Sequence, residues 1–244
     1  DVAAAAREPG VTRVITAADV ATVMPKPFYG PAFHDQPVLA IDTVRHVGEP
    51  VAVVLAEDPH IAEHALTLIE VDYEELPAVF DELEAMQAKV LVHDELKPAG
   101  TFADLKHLAG RKGTNVALDF QLRRGDADAA IAEAAHVFEH TFYYPPTLQA
   151  PLESFVTVAE PQVDALTLYT ASQMPSFVRL EIARLLGWPE NKVRVKVPLL
   201  GGGFGAKTYI KLEALVAALA MIVRRPVKIA ATMEEQFYLI TNHP

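Results

Sequence analysis

The stretch Leu199 to Tyr209 reads LLGGGFGAKTY. Gly201, Gly202, Gly203 and Gly205 surround a single Phe204, and Lys207 follows two positions after the last glycine. Bare backbone of this kind can take positive φ and lets N–H groups close on an anion or a bulky group. A helix opening after it would add partial positive charge, and Lys207 a whole one. Each glycine costs roughly 0.5–1 kcal/mol of chain entropy by analogy with regular structure. A plain turn needs one or two of them, so four predict that something approaches this backbone. The candidates are a phosphate, a metal-bearing cofactor or another piece of chain.

A phosphate loop has the pattern G-x-x-x-x-G-K-[ST]. From Gly201 the sequence gives G-G-G-F-G-A-K-T, so Lys207 and Thr208 fit but Ala206 stands where the second glycine belongs. No apolar run ending in Asp follows to hold magnesium. The dinucleotide fingerprint G-x-G-x-x-G fails at the same alanine. A P-loop-like phosphate-binding protein is therefore a remote alternative.

The other chemically suggestive residues each have a plainer reading. Gln173 could cap the helix that opens near Pro175. Phe204 could be a core anchor. Lys207 reads as a surface or helix-start residue and is left outside the candidate site. Glu153, in QAPLES, reads as a structural carboxylate at a strand end. His60 and His64 have the i, i+4 spacing of a metal pair, but no third ligand is in sight, and solvent exposure is the expectation. The acid run at Glu74 and Glu75 reads as a solvated face.

The elements that must position these residues follow from composition and period. The 244 residues fit one large or two modest domains, and 51% of them are apolar. A formal net charge of -11 argues against a nucleic-acid partner. No apolar run approaches the ~18 residues of a membrane span. The absence of cysteine excludes disulfides, thiolate zinc and iron–sulfur ligation by this chain. A cytoplasmic setting fits these facts. The alanine-rich start lacks the basic region of a signal peptide and does not begin with Met, which suggests processing or a piece of something longer.

Pro50–Glu57 is a near-continuous apolar run and predicts a strand buried on both faces. Asp58-Pro59 opens a helix with Ile61, Ala65, Leu68 and Ile69 on one side. IEVDYEEL alternates as a half-exposed strand. Residues 86–124 lack a sustained period and read as a connection over the surface. Asp126 suits the N-cap of an alanine-rich helix. HVFEHTFYY, SFVTVAEP, ALTLYTAS, KVRVKVPLL and RPVKIAAT read as strands. PSFVRLEIARLLGW reads as a helix with Phe177, Leu180, Ile182 and Leu185 inward, ended by Gly187. The glycine stretch then sits between a strand and the helix IKLEALVAALAMIV. Thr232 and Glu235 have capping-box spacing, so one more helix starts near the end of the chain.

These residues carry a family resemblance. GGGFGAK is similar to the GGGFGxK motif of the molybdenum-binding large subunit of the xanthine dehydrogenase / aldehyde oxidase family. Val44–Val79, with VRHVGEPVA and IEVDYEELP, resembles that family's α/β-hammerhead domain. YTASQMP through GGGFGAK resembles the start of its cofactor-binding region. The resemblance implies an α+β chain: a hammerhead domain over 1–85, a linker over 86–124, and the first part of a molybdopterin-binding α+β domain over 125–244.

The implied cofactor is molybdenum-molybdopterin, in the cytosine dinucleotide form common in bacteria. The implied reaction is hydroxylation of an activated C–H with oxygen from water. Gln173 matches the glutamine whose amide donates to a metal oxo ligand, and Gly202, Gly203, Phe204 and Gly205 match the loop against the pterin and metal. No residue of this chain is expected to be catalytic or to ligate the metal directly, because the family's general-base glutamate lies far downstream. Implied partners are the remainder of the large subunit, an FAD-binding medium subunit, a 2Fe-2S small subunit and a small-molecule substrate. Thr208 stands where purine-oxidising members carry a glutamate, which leaves aldehydes, aromatic compounds and N-heterocycles as substrates. Without a copper-ligating cysteine, a copper-type carbon monoxide dehydrogenase is not expected. The chain alone is expected to be inactive; the alternative is a cofactor-free scaffolding piece.

Overall fold

Two apolar clusters of unequal size organise the chain, whose computed structural model describes residues 1–96, 99 and 110–240. The smaller lies in the N-terminal part, built from α1 (Ala3–Arg7), β1 (Val11–Ile15), α2 (Ala17–Val20), β2 (Phe28–Tyr29), β3 (Gln36–Pro37), β4 (Val53–Ala56) and α3 (Pro59–Leu66). β1 pairs antiparallel with β4, and β2 with β3. Ala5 of α1, Val54 of β4 and Ala65 of α3 form the small core, with Val11, Val14, Leu68 and Ile69 against it. Asp58 caps α3 as its sequence requires: its carboxylate accepts from the His60 N–H at 2.8 Å, and Pro59 fills the first turn.

Two expectations fail here for one reason. Of β4 only Val54 is buried, because a two-stranded sheet leaves its other face open. Residues 69–76 form no strand. The Glu70 N–H donates to the Asp1 carbonyl, but among the described residues no strand lies alongside the rest of that alternating segment.

α4 (Glu82–Ala85) follows, capped by Asp81. The Asn115 side chain then ties the connecting stretch together: its amide nitrogen donates to the carbonyls of Ala85 and Val90, and its oxygen accepts from the Val92 N–H. Of the expected linker, residues 97, 98 and 100–109 lie outside the described residues, and 110–124 contain no helix or strand. Asp126 caps α5 (Ala127–Glu133), accepting from the Ala129 N–H at 3.0 Å. HVFEHTFYY is not a strand. Phe138, Phe142, Tyr143 and Tyr144 are all exposed. Alternation marks a segment able to pair, and among the described residues no strand pairs with it.

The C-terminal part carries the larger core. Its elements are β5 (Val156–Pro161), β6 (Leu166–Thr170), α6 (Pro175–Leu186), β7 (Val193–Lys196), α7 (Glu213–Val223), β8 (Val227–Ala230) and α8 (Met233–Leu239). The sheet order is β7-β6-β5-β8. β6 and β7 are parallel, with α6 as the crossover such a pair demands; the other pairs are antiparallel. Phe177, Ile182 and Leu185 of α6 are buried as the spacing predicts, while Leu180 is half-buried. Gly187 ends the helix in the left-handed region at φ 67°. α7 is buried through Ala220, against the sheet, α6 and α2. The expected capping box of α8 is present.

The two parts share this core. Ile15, Val20, Met24, Val38 and Leu39 join Leu166, Phe177, Ile182 and Val216 in one cluster. Wholly buried Glu181 accepts from Arg184 Nε (3.1 Å) and Nη2 (2.9 Å), and the same guanidinium reaches the Phe28 carbonyl at 2.7 Å. Among the described residues, no helix is long and apolar enough to cross a membrane.

Candidate functional site

β6 ends at Thr170, and three residues later Gln173 stands just before α6. It does not cap that helix. The N-cap is Met174, and the Ser172 hydroxyl accepts the Met174 N–H at 3.1 Å. Gln173 turns instead to the glycine stretch. Its Oε1 accepts from the Gly205 N–H at 3.0 Å and from the Lys207 N–H at 3.3 Å. Its own N–H donates to the Lys207 carbonyl at 2.8 Å. With the oxygen held by two main-chain donors, the amide's orientation is set, and the two Nε2 hydrogens remain to be offered outward.

The glycines are required by this approach. A Cβ on Gly203 would lie 2.4 Å from Gln173 Oε1, and one on Gly201 would lie 2.5 Å from the Glu153 Cβ. Gly202 and Gly205 have φ of +97° and +91°, in the region that favours glycine. Phe204 itself sits at φ 52° and is 67% exposed, so it is not a core anchor. Gly202 backs its ring, since an added Cβ would meet Phe204 Cε2 at 3.0 Å. Gln173, Gly202, Gly203, Phe204 and Gly205 therefore converge on one turn of chain, with the aromatic ring facing out.

The setting of that turn differs from the sequence expectation. α7 opens only at Glu213, with residues 208–212 between it and Lys207. At its first residue, Glu213 Oε2 accepts the Lys211 N–H at 2.8 Å while Oε1 accepts the buried Thr170 hydroxyl. Residues 208–212 thus separate the helix start from the glycine stretch.

Two residues given plain readings belong to the site's frame. Lys207 is not on the surface but 1% exposed, and its ammonium donates to Glu153 Oε2 and to the Glu153 carbonyl, both at 2.8 Å. The Glu153 carboxylate also accepts the Gly201 N–H at 2.8 Å. Burial pushes the Glu153 carboxyl up, but the hydrogen bonds from Lys207 and Gly201 together with the Lys207 charge outweigh it and hold the group below the usual carboxylate range. Behind them Gln236 of α8, wholly buried, donates to the Pro151 carbonyl at 3.0 Å. A sequence signal for the pair existed in the opposite charges flanking two motif stretches, but nothing in the spacing of 153 and 207 showed that they meet. His60 and His64 are exposed and lie beside Glu63 and Glu8. No group of three or more metal-ligating side chains occurs among the described residues.

Known proteins share this fold. The family model described as the molybdopterin cofactor-binding domain matches residues 109–244, and that of the aldehyde oxidase and xanthine dehydrogenase a/b hammerhead domain matches residues 1–77. The chain belongs to the aldehyde oxidase and xanthine dehydrogenase family of molybdopterin-dependent oxidoreductases. It is 33% identical over 269 residues to the probable hypoxanthine oxidase XdhD of Escherichia coli, covering 99% of this chain and 28% of that one. It is 36% identical over 236 residues to the carbon monoxide dehydrogenase large chain of Hydrogenophaga pseudoflava, covering 92% and 28%. The crystal structure of quinoline 2-oxidoreductase from Pseudomonas putida 86 superposes with a TM-score of 0.83 at 34% identity, over 100% of this chain and 30% of that one. The chain thus spans less than a third of the length of these relatives.

Proposed function

We propose that this chain supplies one wall of the molybdopterin site of a molybdenum hydroxylase, and that further chain completes the site. The observation that carries the reading is the Gln173 amide, its oxygen held by the Gly205 and Lys207 N–H groups and its NH2 left to donate. The residues fit a bulky anionic cofactor. A Cβ at Gly203 would displace the Gln173 amide, and that amide brings a donor without adding a charge. When bound, molybdenum-molybdopterin would supply the redox chemistry by which a C–H bond is hydroxylated with oxygen from water. Gln173 would donate to an oxo ligand, the N–H groups of Gly202 and Gly203 would face cofactor oxygens, the Gly205 N–H would keep the Gln173 amide in place, and the Phe204 ring would shape the adjoining space. The chain alone is inactive on this reading, because the general base would come from the further chain that completes the site.

The substrate proposed is an aldehyde, an aromatic compound or an N-heterocycle. A structural neighbour named for quinoline supports the last class. The same proposal includes the cytosine dinucleotide form of the cofactor, FAD and 2Fe-2S carriers on partner subunits, a cytoplasmic location, and the boundaries 1–85, 86–124 and 125–244. Metal and flavin analysis of the complete assembly from its natural source tests it. Molybdenum in one-to-one ratio with this chain, together with iron and flavin, is expected. An assembly free of molybdenum would sink the reading and leave a scaffolding role.

A further inference from the structure

The geometry points to Lys207 as a positioning residue: its buried ammonium, clamped on Glu153, sets the glycine turn so that the turn's amides hold the Gln173 side chain. This rests on the reading that Gln173 faces the cofactor. Removing an ammonium from water is costly unless it is paired and fully hydrogen-bonded, and an apolar side chain would fill the same space at less cost. A lysine at 1% exposure therefore needs a reason beyond packing.

The bonds supply one. The Lys207 ammonium donates twice to Glu153, and it lies 6.0 Å from the centroid of the Phe155 ring. The main chain of the same residue meets Gln173 on both sides, its N–H donating to Oε1 and its carbonyl accepting the Gln173 N–H. At the other end of the turn, Gly201 and Glu153 exchange bonds: the Gly201 N–H donates to Glu153 Oε2, and the Glu153 N–H donates to the Gly201 carbonyl. One carboxylate thus pins both ends of the turn from Gly201 to Lys207. The turn closes as a ring with Phe204 at its outer edge and the Gly205 N–H aimed inward at Gln173. Glu153 lies three positions before the start of β5, so the ring is anchored to the sheet.

Amide hydrogen exchange on the complete assembled enzyme tests the clamp without reference to turnover. Glu153→Gln, Lys207→Met and Gln173→Ala are each compared with the parent. All three are expected to speed exchange at Gly205 by about tenfold, as for loss of one neutral hydrogen bond, with β5 and β6 amides unchanged. Lys207→Met added to Gln173→Ala should give less than about a twofold further change at Gly205, since both act on one bond. If Lys207→Met does not fold, Glu153→Gln decides. Gly205 protection unchanged in a folded Glu153→Gln or Lys207→Met enzyme would overturn the inference, as would full additivity in the double variant. An assembly without molybdenum would defeat the functional reading and leave the exchange result to stand. Unchanged exchange in a molybdenum-loaded assembly would defeat the clamp alone.

Discussion

Gln173 Oε1 lies 3.0 Å from the main-chain nitrogen of Gly205, so that a residue just ahead of α6 and a residue of the turn well before α7 form one contact. The direction of that bond matters. The oxygen is consumed by the protein, and the NH2 is what remains for anything outside.

Gln173→Glu separates holding from donating. A carboxylate can still accept from Gly205 and Lys207, but it offers no hydrogen and brings a negative charge. Turnover of the assembled enzyme is expected to fall by about a hundredfold, the scale of losing one oriented donor, while the folded state persists. Steady-state kinetics beside a thermal melt check this, and near-parental turnover would remove Gln173 from the reaction.

Gly203→Ala should uncouple stability from function. The new Cβ would overlap Gln173 Oε1, Cδ and Cγ at 2.4, 2.6 and 2.8 Å, all in a side chain that can swing away. The expected stability loss is below about 1 kcal/mol, with an activity loss of at least about tenfold. A stability loss above about 3 kcal/mol with intact activity would contradict the arrangement.

Acid should loosen the turn. The Glu153 carboxyl is held below its ordinary range in the folded chain, so its pairing stabilises the fold above the unfolded-state carboxyl pKa and that contribution fades as pH falls through the lowered value. Denaturant midpoints between pH 7 and pH 3 should therefore drop less in Glu153→Gln than in the parent. Equal slopes would show that Glu153 adds no proton linkage.

Glu181→Ala should weaken the junction of the two parts. It leaves Arg184 with the Phe28 carbonyl but without its buried carboxylate. The cost is about 2–3 kcal/mol, reduced from the fully buried case because the guanidinium keeps some contact with water. Urea unfolding of the assembled protein measures it, and a change under about 0.5 kcal/mol would count against the junction.

Local signals carried much of this in the sequence. Asp58, Asp126 and the Thr232–Glu235 pair cap their helices where their spacing says, and Gly187 ends α6. These devices act within four residues, so a linear reading captures them. Residues 69–76 and 136–144 have the alternation of strands without being strands, because pairing depends on a neighbour that local pattern cannot name. The glycine turn announced a close approach, yet what approaches within this chain is Gln173 and Glu153. Lys207 misled for a similar reason: a buried lysine and a solvated one look alike until the carboxylate 54 positions away is known to be beside it.

The joint core of the two parts has a mechanical corollary. Side chains around Val20, Met24 and Leu39 are lodged among those of α6 and α7, and Arg184 grips the backbone at Phe28. Severing the peptide backbone after exposed Lys112 would not let the pieces drift apart. They would stay clasped like two halves of a nut still seated on one kernel, separable only when the kernel itself melts.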